Sequence, residues 1–142
     1  MLPHPPSETA GYIRLSVTGK GGDDSIDNQK KLIETWGQKN QLSISRWYID
    51  AGWSGRTLNR PEFQKMIADI GRGEVDCVVV KDLSRLGRDH IAVGYYLEVF
   101  FPMNGVRFVS INDDFDTVDG LTDQSHPHGA RIRIPINLQY SS

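Results

Sequence analysis

The sequence predicts an α/β domain with a mostly parallel central sheet and helices on both of its faces. Two observations predict this fold. Short segments rich in β-branched and aromatic residues alternate with longer segments whose apolar residues recur at helical spacing. In addition, residues 75–81 (VDCVVVK) contain a continuous apolar run, which is typical of a strand buried on both faces. Right-handed crossovers between parallel strands then place helices on both sides of the sheet.

The first strand and helix follow from local sequence signals. Residues 12–17 (YIRLSV) are predicted as a strand, and residues 18–24 (TGKGGDD) as a glycine-rich loop. Ser25 is a suitable N-cap, and Asp27 lies in the first turn, where the helix dipole favours negative charge. The helix is therefore expected to run to about Asn40.

The second strand and helix repeat this arrangement. Residues 44–50 (ISRWYID) are predicted as a strand and residues 51–59 as a loop. Pro61 suits the first position of a helix, and that helix is expected to end near Gly71 or Gly73.

A third loop and helix follow the strand at residues 75–81. Residues 82–88 (DLSRLGR) are predicted to connect it to a helix from near Asp89 to about Met103. Gly105 stands where a C-terminal cap belongs, and residues 106–111 (VRFVSI) are predicted as a fourth strand.

The pattern divides the chain into three parts. Residues 1–10 contain three prolines and are expected to form a flexible leader, and residues 11–120 the folded domain. Residues 121–142 are predicted to form a loop and the truncated start of a following segment.

Composition excludes several classes of protein. The chain has 142 residues, of which 38% are hydrophobic, so it can bury a core. One cysteine and four histidines argue against a disulfide framework and a cysteine-rich zinc module. The chain contains no apolar run of about 18 residues, which a membrane span needs, and its start lacks the pattern of a secretory signal. A cytoplasmic protein without membrane association is therefore expected.

The net charge of −2 argues against nucleic-acid binding by bulk electrostatics, but it permits a small arginine cluster directed at one phosphate. Ligands of parallel α/β sheets bind at the carboxyl ends of the strands. Arg14 and Ser16 are two positions apart on the first strand and therefore share a face. The loops after the second and third strands add Arg60 and then Arg85 and Arg88. The topology can thus gather one serine and four arginines at one edge.

Arg14 is the most informative of these residues, because a guanidinium in a buried strand is costly unless an anion accompanies it. One carboxylate in a structural ion pair would satisfy Arg14, but it would not satisfy four arginines. Guanidinium groups match phosphate geometry and stay charged, so a cluster around a hydroxyl predicts attack on a phosphodiester. A Ser-His-Asp hydrolase is disfavoured, since only His90 lies near these loops and no G-x-S-x-G motif occurs. The general base remains unassigned.

Several motifs occur in the order found in one enzyme family. The sequence resembles the catalytic domain of serine recombinases (the resolvase/invertase family) over about residues 11–120, and most of all the large members of the transposon and phage integrase type. The residues that carry the resemblance are YIRLS at 12–16, SIDNQ at 25–29, DAGWSG at 50–55, RPEF at 60–63, Asp76 and LSRLGRD at 83–89.

The resemblance implies a mechanism and a set of site residues. Ser16 would attack a DNA phosphodiester, form a covalent 5′-phosphoserine and later permit religation, with no metal, ATP or other cofactor. It implies double-stranded DNA with specific recombination sites as substrate, and dimers and tetramers of the full-length protein. Arg14, Arg85 and Arg88 match phosphate-binding arginines, Arg60 matches a further active-site arginine, and Gln29 and Asp76 match supporting polar residues.

Other interpretations remain open. Ser84 stands where many small resolvases have aspartate. The Gln29 side chain can instead cap a helix end or face solvent. Asp76 can be a turn residue or a structural partner of an arginine. The chain can also be a noncatalytic nucleotide- or phosphate-binding module, or an inactive relative that only oligomerises. A metal site at His126 and His128 is disfavoured, because two histidines in a tail rarely suffice.

Overall fold

The computed structural model describes residues 8–16 and 25–118. It contains one five-stranded sheet with the order β2-β1-β3-β4-β5, in which β5 alone is antiparallel to its neighbour. The mostly parallel α/β fold expected from the sequence is therefore confirmed. The strands are Glu8–Leu15 (β1), Ile44–Ala51 (β2), Val75–Val80 (β3), Arg107–Ser110 (β4) and Phe115–Asp116 (β5). The helices are Ile26–Lys39 (α1), Pro61–Gly71 (α2) and α3, which consists of the consecutive segments His90–Tyr95, Tyr96–Phe100 and Phe101–Met103.

The first strand starts earlier than the sequence pattern indicates. β1 begins at Glu8 and pairs with both β2 and β3, so residues 8–10 belong to the sheet and not to a leader. Ala10 is fully buried. The signal was weak because Glu8, Ala10 and Gly11 have little strand propensity, and their pairing comes from the two neighbouring strands. Residues 1–7 and 119–142 lie outside the described part of the chain.

Two apolar clusters hold the helices against the sheet. One lies on the face covered by α2 and α3 and includes Tyr12, Phe63 and Phe101. The other lies on the face covered by α1 and includes Ile13 and Ile33. Adjacent β1 residues therefore point to opposite clusters, as the pleat of a strand requires. The helices on both faces confirm the predicted layering.

The third helix is irregular, and Pro102 offers the reason. Asp89 is the N-cap of α3, and its side chain accepts hydrogen bonds from the amides of Ile91 and Ala92. Its middle turn, Tyr96–Phe100, is a wider π-helical turn that ends two residues before Pro102. Proline has no N–H to donate, and its ring crowds the carbonyl of the preceding turn, so the helix widens there.

The topology places a crevice at the carboxyl ends of β1 and β3. The chain passes from β1 to β2 on one side of β1 and then crosses to β3 on its other side. The direction of winding therefore changes between the neighbouring strands β1 and β3. Such a switch point separates the loops that follow the two strands and is the usual ligand site of the fold. No helix in the part of the chain that the structure describes is long and apolar enough to cross a membrane.

Candidate active site

Ser16 directly follows β1 at the carboxyl edge and is half-buried. The carbonyl of the preceding residue, Leu15, accepts hydrogen bonds from the amides of Gly52 (2.7 Å) and Trp53 (3.1 Å). Gly52 has φ of +82°, a conformation that glycine adopts without strain. The loop after β2 is thus fastened to the main chain next to the candidate nucleophile.

Arg14 lies inside the site and bonds to two loops. Its side chain is 3% exposed and donates to the carbonyls of Trp53 (3.0 Å) and Ser84 (2.8 Å). Among the described residues, its Nε has no hydrogen-bond partner. Burial lowers the pKa of Arg14, and the positive charges of Arg60 and Arg85 lower it further. The guanidinium nevertheless remains charged at neutral pH, because its ordinary pKa is so high.

Arg85 and Gln29 meet at one atom of β1. Nη1 of Arg85 donates to the carbonyl of Arg14 at 2.8 Å, and Nε2 of Gln29 donates to the same oxygen at 3.3 Å. Both side chains are buried. Arg85 also forms an ion pair with Asp82 at 3.4 Å. The structure therefore brings Gln29 and Arg85 to the strand end that carries Arg14 and Ser16.

Arg60 is completely buried and holds the loop after β3. Its Nη1 donates to the Tyr12 hydroxyl (2.9 Å) and to the carbonyl of Arg85 (2.7 Å), and its Nη2 donates to the carbonyl of Leu86. Burial lowers the pKa of Arg60, and the neighbouring Tyr12 and Asp50 oppose that shift. The contacts of Arg60 face the protein interior, so it positions the segment that bears Arg85.

Asp50 completes this buried network at the end of β2. Its carboxylate accepts from the Tyr12 hydroxyl (2.8 Å) and from the amides of Glu62 (3.0 Å) and Phe63 (2.9 Å). These amides belong to the first turn of α2, whose dipole favours a negative charge at that place. Asp50 therefore fixes the start of α2, and with it Arg60, relative to β1.

Arg88 is the exposed member of the cluster. Its amide donates to the carbonyl of Gly55 at 2.9 Å, which joins the loops after β2 and β3. A Cβ placed on Gly55 would lie 3.0 Å from Nη2 of Arg14 and 3.3 Å from Cγ of Arg88. Glycine at this position thus leaves room for both arginine side chains where a larger residue would place its own side chain.

The cluster carries more positive than negative charge. Among the described residues, Arg85 is the only one of the four arginines in an ion pair with a carboxylate. Asp50 neutralises Arg60 in part, through Tyr12. Arg14 and Arg88 have no carboxylate partner in that part of the chain. Charged groups near a protein interior require a counter-charge, so the arrangement favours an anionic ligand beside Ser16.

Asp76 does not join these residues. It is exposed, and it is the second residue of β3, at the amino end of the sheet. The neighbouring register places it near Glu8 and Thr9, five to six residues before Arg14. At about 3.3 Å per residue, this separation amounts to roughly 15–20 Å. The structure therefore does not bring Asp76 together with the other candidate site residues.

Tyr12 and Asp50 are parts of the site that the sequence reasoning left without a role. A sequence signal for both was present: Tyr12 shares the face of Arg14, and Asp50 is the polar residue that ends the predicted second strand.

Cys77 is buried, as expected for core packing. The glycine-rich loop at 19–22 and His126 and His128 lie outside the described residues. Within those residues, no group of three or more His, Cys, Asp or Glu has the arrangement of a metal site.

Comparison with known proteins identifies the family. The family model of the resolvase N-terminal domain matches residues 9–128. The N-terminal catalytic domain of TP901-1 integrase is 35% identical, with a TM-score of 0.71 over 79% of this chain and 82% of that chain. A resolvase family site-specific recombinase from Streptococcus pneumoniae is 27% identical, with a TM-score of 0.65 over 84% and 80% of the two chains.

A serine recombinase from Sulfolobus solfataricus is also similar, with 28% identity and a TM-score of 0.62 over 75% of this chain and 69% of that chain. No curated protein sequence is significantly similar. The family match covers most of the described residues, including Ser16 and the four arginines. The chain belongs to the resolvase family and is a serine recombinase catalytic domain, of the class of enzymes that cleave and rejoin DNA at specific sites.

Proposed function

We propose that Ser16 is the nucleophile that cuts double-stranded DNA and that Arg14, Arg85 and Arg88 bind the scissile phosphate. The observation that carries this proposal is the position of Arg14, a buried guanidinium without a carboxylate partner among the described residues, two positions before Ser16. A phosphodiester would supply the missing negative charge. Its charge grows in the transition state, where fixed guanidinium donors stabilise it most.

In the proposed reaction, Oγ of Ser16 forms a bond to phosphorus while the bond from phosphorus to the 3′-oxygen breaks. The serine proton passes to a base, and the leaving oxygen takes up a proton to become a 3′-hydroxyl. The product is a 5′-phosphoserine ester, and religation is the reverse step with a 3′-hydroxyl as attacking group. Because one phosphate ester replaces another, the exchange needs no ATP, and the guanidinium groups take the charge-stabilising role that a metal would otherwise have.

The described arrangement corresponds to a site at rest. Arg14 and Arg85 donate to main-chain carbonyls, and the Nε of Arg14 has no hydrogen-bond partner among the described residues. Arg88 is the exposed arginine and would meet the DNA first. A small movement of the loop after β3 would then bring the buried donors to the phosphate, since catalytic hydrogen bonds often tighten only when substrate is bound.

Self-association is part of the proposal, because a recombinase must hold two duplexes together. α3 presents an exposed apolar stripe at a spacing of four residues. It consists of Ile91, Tyr95, Val99 and Met103, which are 85%, 50%, 41% and 77% exposed. Such a continuous apolar face on a helix favours contact with a second protein surface, and a second copy of this chain is the proposed partner.

Covalent trapping tests the chemistry. The protein is incubated with DNA that carries its recombination site, denatured with detergent and examined for a protein–DNA adduct. The strand labelled at its 3′ end is expected to become protein-linked, and the 5′-labelled fragment is expected to be released. Ser16→Ala should abolish the adduct, while Ser43→Ala, a change in an exposed loop, should leave it intact. Adduct formation by the Ser16→Ala variant would refute the assignment.

The same experiment separates the rival functions. A noncatalytic phosphate-binding module would bind the DNA and form no adduct, and an inactive relative would self-associate without either activity. Cleavage in the presence of a chelator is the result expected for a metal-independent reaction.

A further inference from the structure

We infer that the carboxyl edge of the sheet carries a second phosphate-binding subsite, a groove that holds the DNA backbone beside the scissile phosphate. The inference rests on the proposed function and names a contact surface for the same DNA. The groove is open and has a volume of about 560 Å³. It is lined by Asn28, Lys31, Leu32, Thr35, Lys81 and Asn112.

The lining side chains come from three elements that the fold fixes. Asn28, Lys31 and Thr35 follow one another at spacings of three and four, so they form one face of α1. Lys81 directly follows β3, and its carbonyl accepts from the amide of Asn112 at 2.8 Å. The ends of β3 and β4 are thereby joined beneath the helix, and the groove has a firm base.

The chemistry of the groove suits an anion. Two lysines line it, and among the described lining residues none is acidic and the remaining polar groups are two amides and a hydroxyl. This composition stands out in a chain whose net charge is −2. Lysines that are only solvated are ordinary on surfaces, but here they converge from separate elements on one concave surface. Lysine and asparagine side chains are common ligands of DNA phosphates.

The groove lies where the neighbouring nucleotides of a cut strand would pass. Gln29, adjacent to Asn28 in α1, donates to the carbonyl of Arg14. Lys81 precedes the loop that bears Arg85 and follows the strand next to β1. Neighbouring strands are about 4.8 Å apart, so the ends of β3 and β4, which carry Lys81 and Asn112, lie about 5–10 Å from the end of β1. DNA advances about 3.4 Å per nucleotide, which places a phosphate within three nucleotides of the scissile one in the groove.

The test is a titration of the isotope-labelled chain with a short DNA duplex, followed by NMR. Amide signals of α1 around Lys31 and those of Lys81 and Asn112 are expected to shift. Lys31→Gln with Lys81→Gln should weaken binding and lower the slope of affinity against salt by about 1 per lysine. The matched variant Lys39→Gln with Lys65→Gln removes the same charge from exposed positions elsewhere and should have little effect. Lys31→Arg with Lys81→Arg should retain binding.

Three results would overturn the inference. In the first, the NMR signals of the groove stay unchanged while those near Arg88 shift. In the second, the two double glutamine variants bind the duplex with the same affinity. In the third, inorganic phosphate saturates the groove as readily as the duplex does. The last result would indicate a site for a free anion. Covalent trapping over a range of DNA concentrations separates this inference from the proposed chemistry. The glutamine variant at positions 31 and 81 should need a higher DNA concentration to form the same amount of adduct, whereas Ser16→Ala should form no adduct at any DNA concentration and keep the groove shifts.

Discussion

Arg60 donates a hydrogen bond of 2.9 Å to the hydroxyl of Tyr12, and that hydroxyl in turn donates to Asp50 at 2.8 Å. The chain of contacts connects β1, the end of β2 and the start of α2 within the protein. Through its bonds to the carbonyls of Arg85 and Leu86, Arg60 extends the network to the loop after β3. The residues around Ser16 are therefore positioned by a buried polar framework that does not itself face the substrate.

The first prediction concerns the central hydroxyl of this framework. Tyr12→Phe removes a donor to Asp50 and an acceptor for Arg60 while the ring keeps its packing against Phe63. Losing the two buried hydrogen bonds of this hydroxyl to charged groups costs about 1–3 kcal/mol, so the free energy of unfolding in urea is expected to fall by that amount. Tyr95→Phe, at a half-exposed position, serves as the control. Equal stabilities of the two variants would show that the network contributes little.

The second prediction concerns the fork of Arg60. In Arg60→Lys the ammonium is a compact charge. It cannot donate hydrogen bonds at once to the carbonyls of Arg85 and Leu86 and to the Tyr12 hydroxyl. We expect the turn at Leu83–Arg85 to loosen and the amide of Leu86, which donates to the carbonyl of Leu83, to exchange hydrogen faster. Arg56→Lys alters an exposed arginine of the same loop and should leave that exchange unchanged. Unaltered exchange in Arg60→Lys would contradict the positioning role.

The main elements of the fold were predictable because each has a local signal. Ser25 accepts from the amide of Asn28 as the expected N-cap, and Pro61 begins α2 as its fixed φ favours. The two-residue β5 was not predicted, since its pairing with β4 depends on tertiary contacts that local propensity does not encode. The π-helical turn of α3 also depends on packing together with Pro102.

The arginines of the site could be located by topology, but their contacts could not. The rule for carboxyl ends of parallel strands brings Arg14, Arg60, Arg85 and Arg88 to one edge, as the structure shows. That Arg60 is buried and serves main-chain carbonyls follows only from the three-dimensional path of the loops. Asp76 illustrates the converse, because a position early in β3 lies at the opposite end of the strand.

The third prediction concerns Gly55, which the side chains of Arg14 and Arg88 approach closely. A methyl group at Gly55 would lie 3.0 Å from Nη2 of Arg14 and 3.3 Å from Cγ of Arg88, so Gly55→Ala must displace these side chains. We expect slower adduct formation, because a small misplacement of a catalytic group is costly, with little loss of stability. Gly71→Ala, where the added carbon meets no atom within 4 Å, should leave the rate unchanged. A normal rate in Gly55→Ala would show that the described arginine positions are not the reactive ones.

The fourth prediction concerns the apolar stripe of α3. Ile91→Asp places a charge at a position that is 85% exposed, so the monomer should keep its stability. If the stripe contacts a second copy, burying that charge is unfavourable and self-association should weaken. Analytical ultracentrifugation over a range of concentrations measures the effect. Glu98→Gln changes the charge at an exposed position of the same helix but outside the stripe, and should not weaken association.

The fifth prediction concerns pH and the opposite end of the sheet. The buried carboxylate of Asp69 accepts from the Tyr48 hydroxyl at 2.6 Å and forms ion pairs with Arg46 and Arg72. Burial alone would raise the pKa of Asp69, but the Tyr48 hydrogen bond and the two arginines outweigh it, so the pKa is lowered. A lowered pKa stabilises the folded state fully above the unfolded value of about 3.9, and this stabilisation is lost as the pH falls through the folded value.

Asp69→Asn should therefore be less stable than the unaltered chain at neutral pH, by about 1–3 kcal/mol, because the charge-assisted bonds are lost. The difference should narrow as the pH falls below about 4, where the unfolded chain binds a proton at Asp69, until the pH has fallen through the lowered pKa of the folded state. Urea unfolding at a series of pH values measures it. Asp76→Asn removes an exposed carboxylate from the same end of the sheet and controls for net charge. A stability difference between the two chains that stays constant down to acid pH would contradict this prediction, because it would not depend on the ionisation of Asp69. The loss of stability in Asp69→Asn would then come from packing.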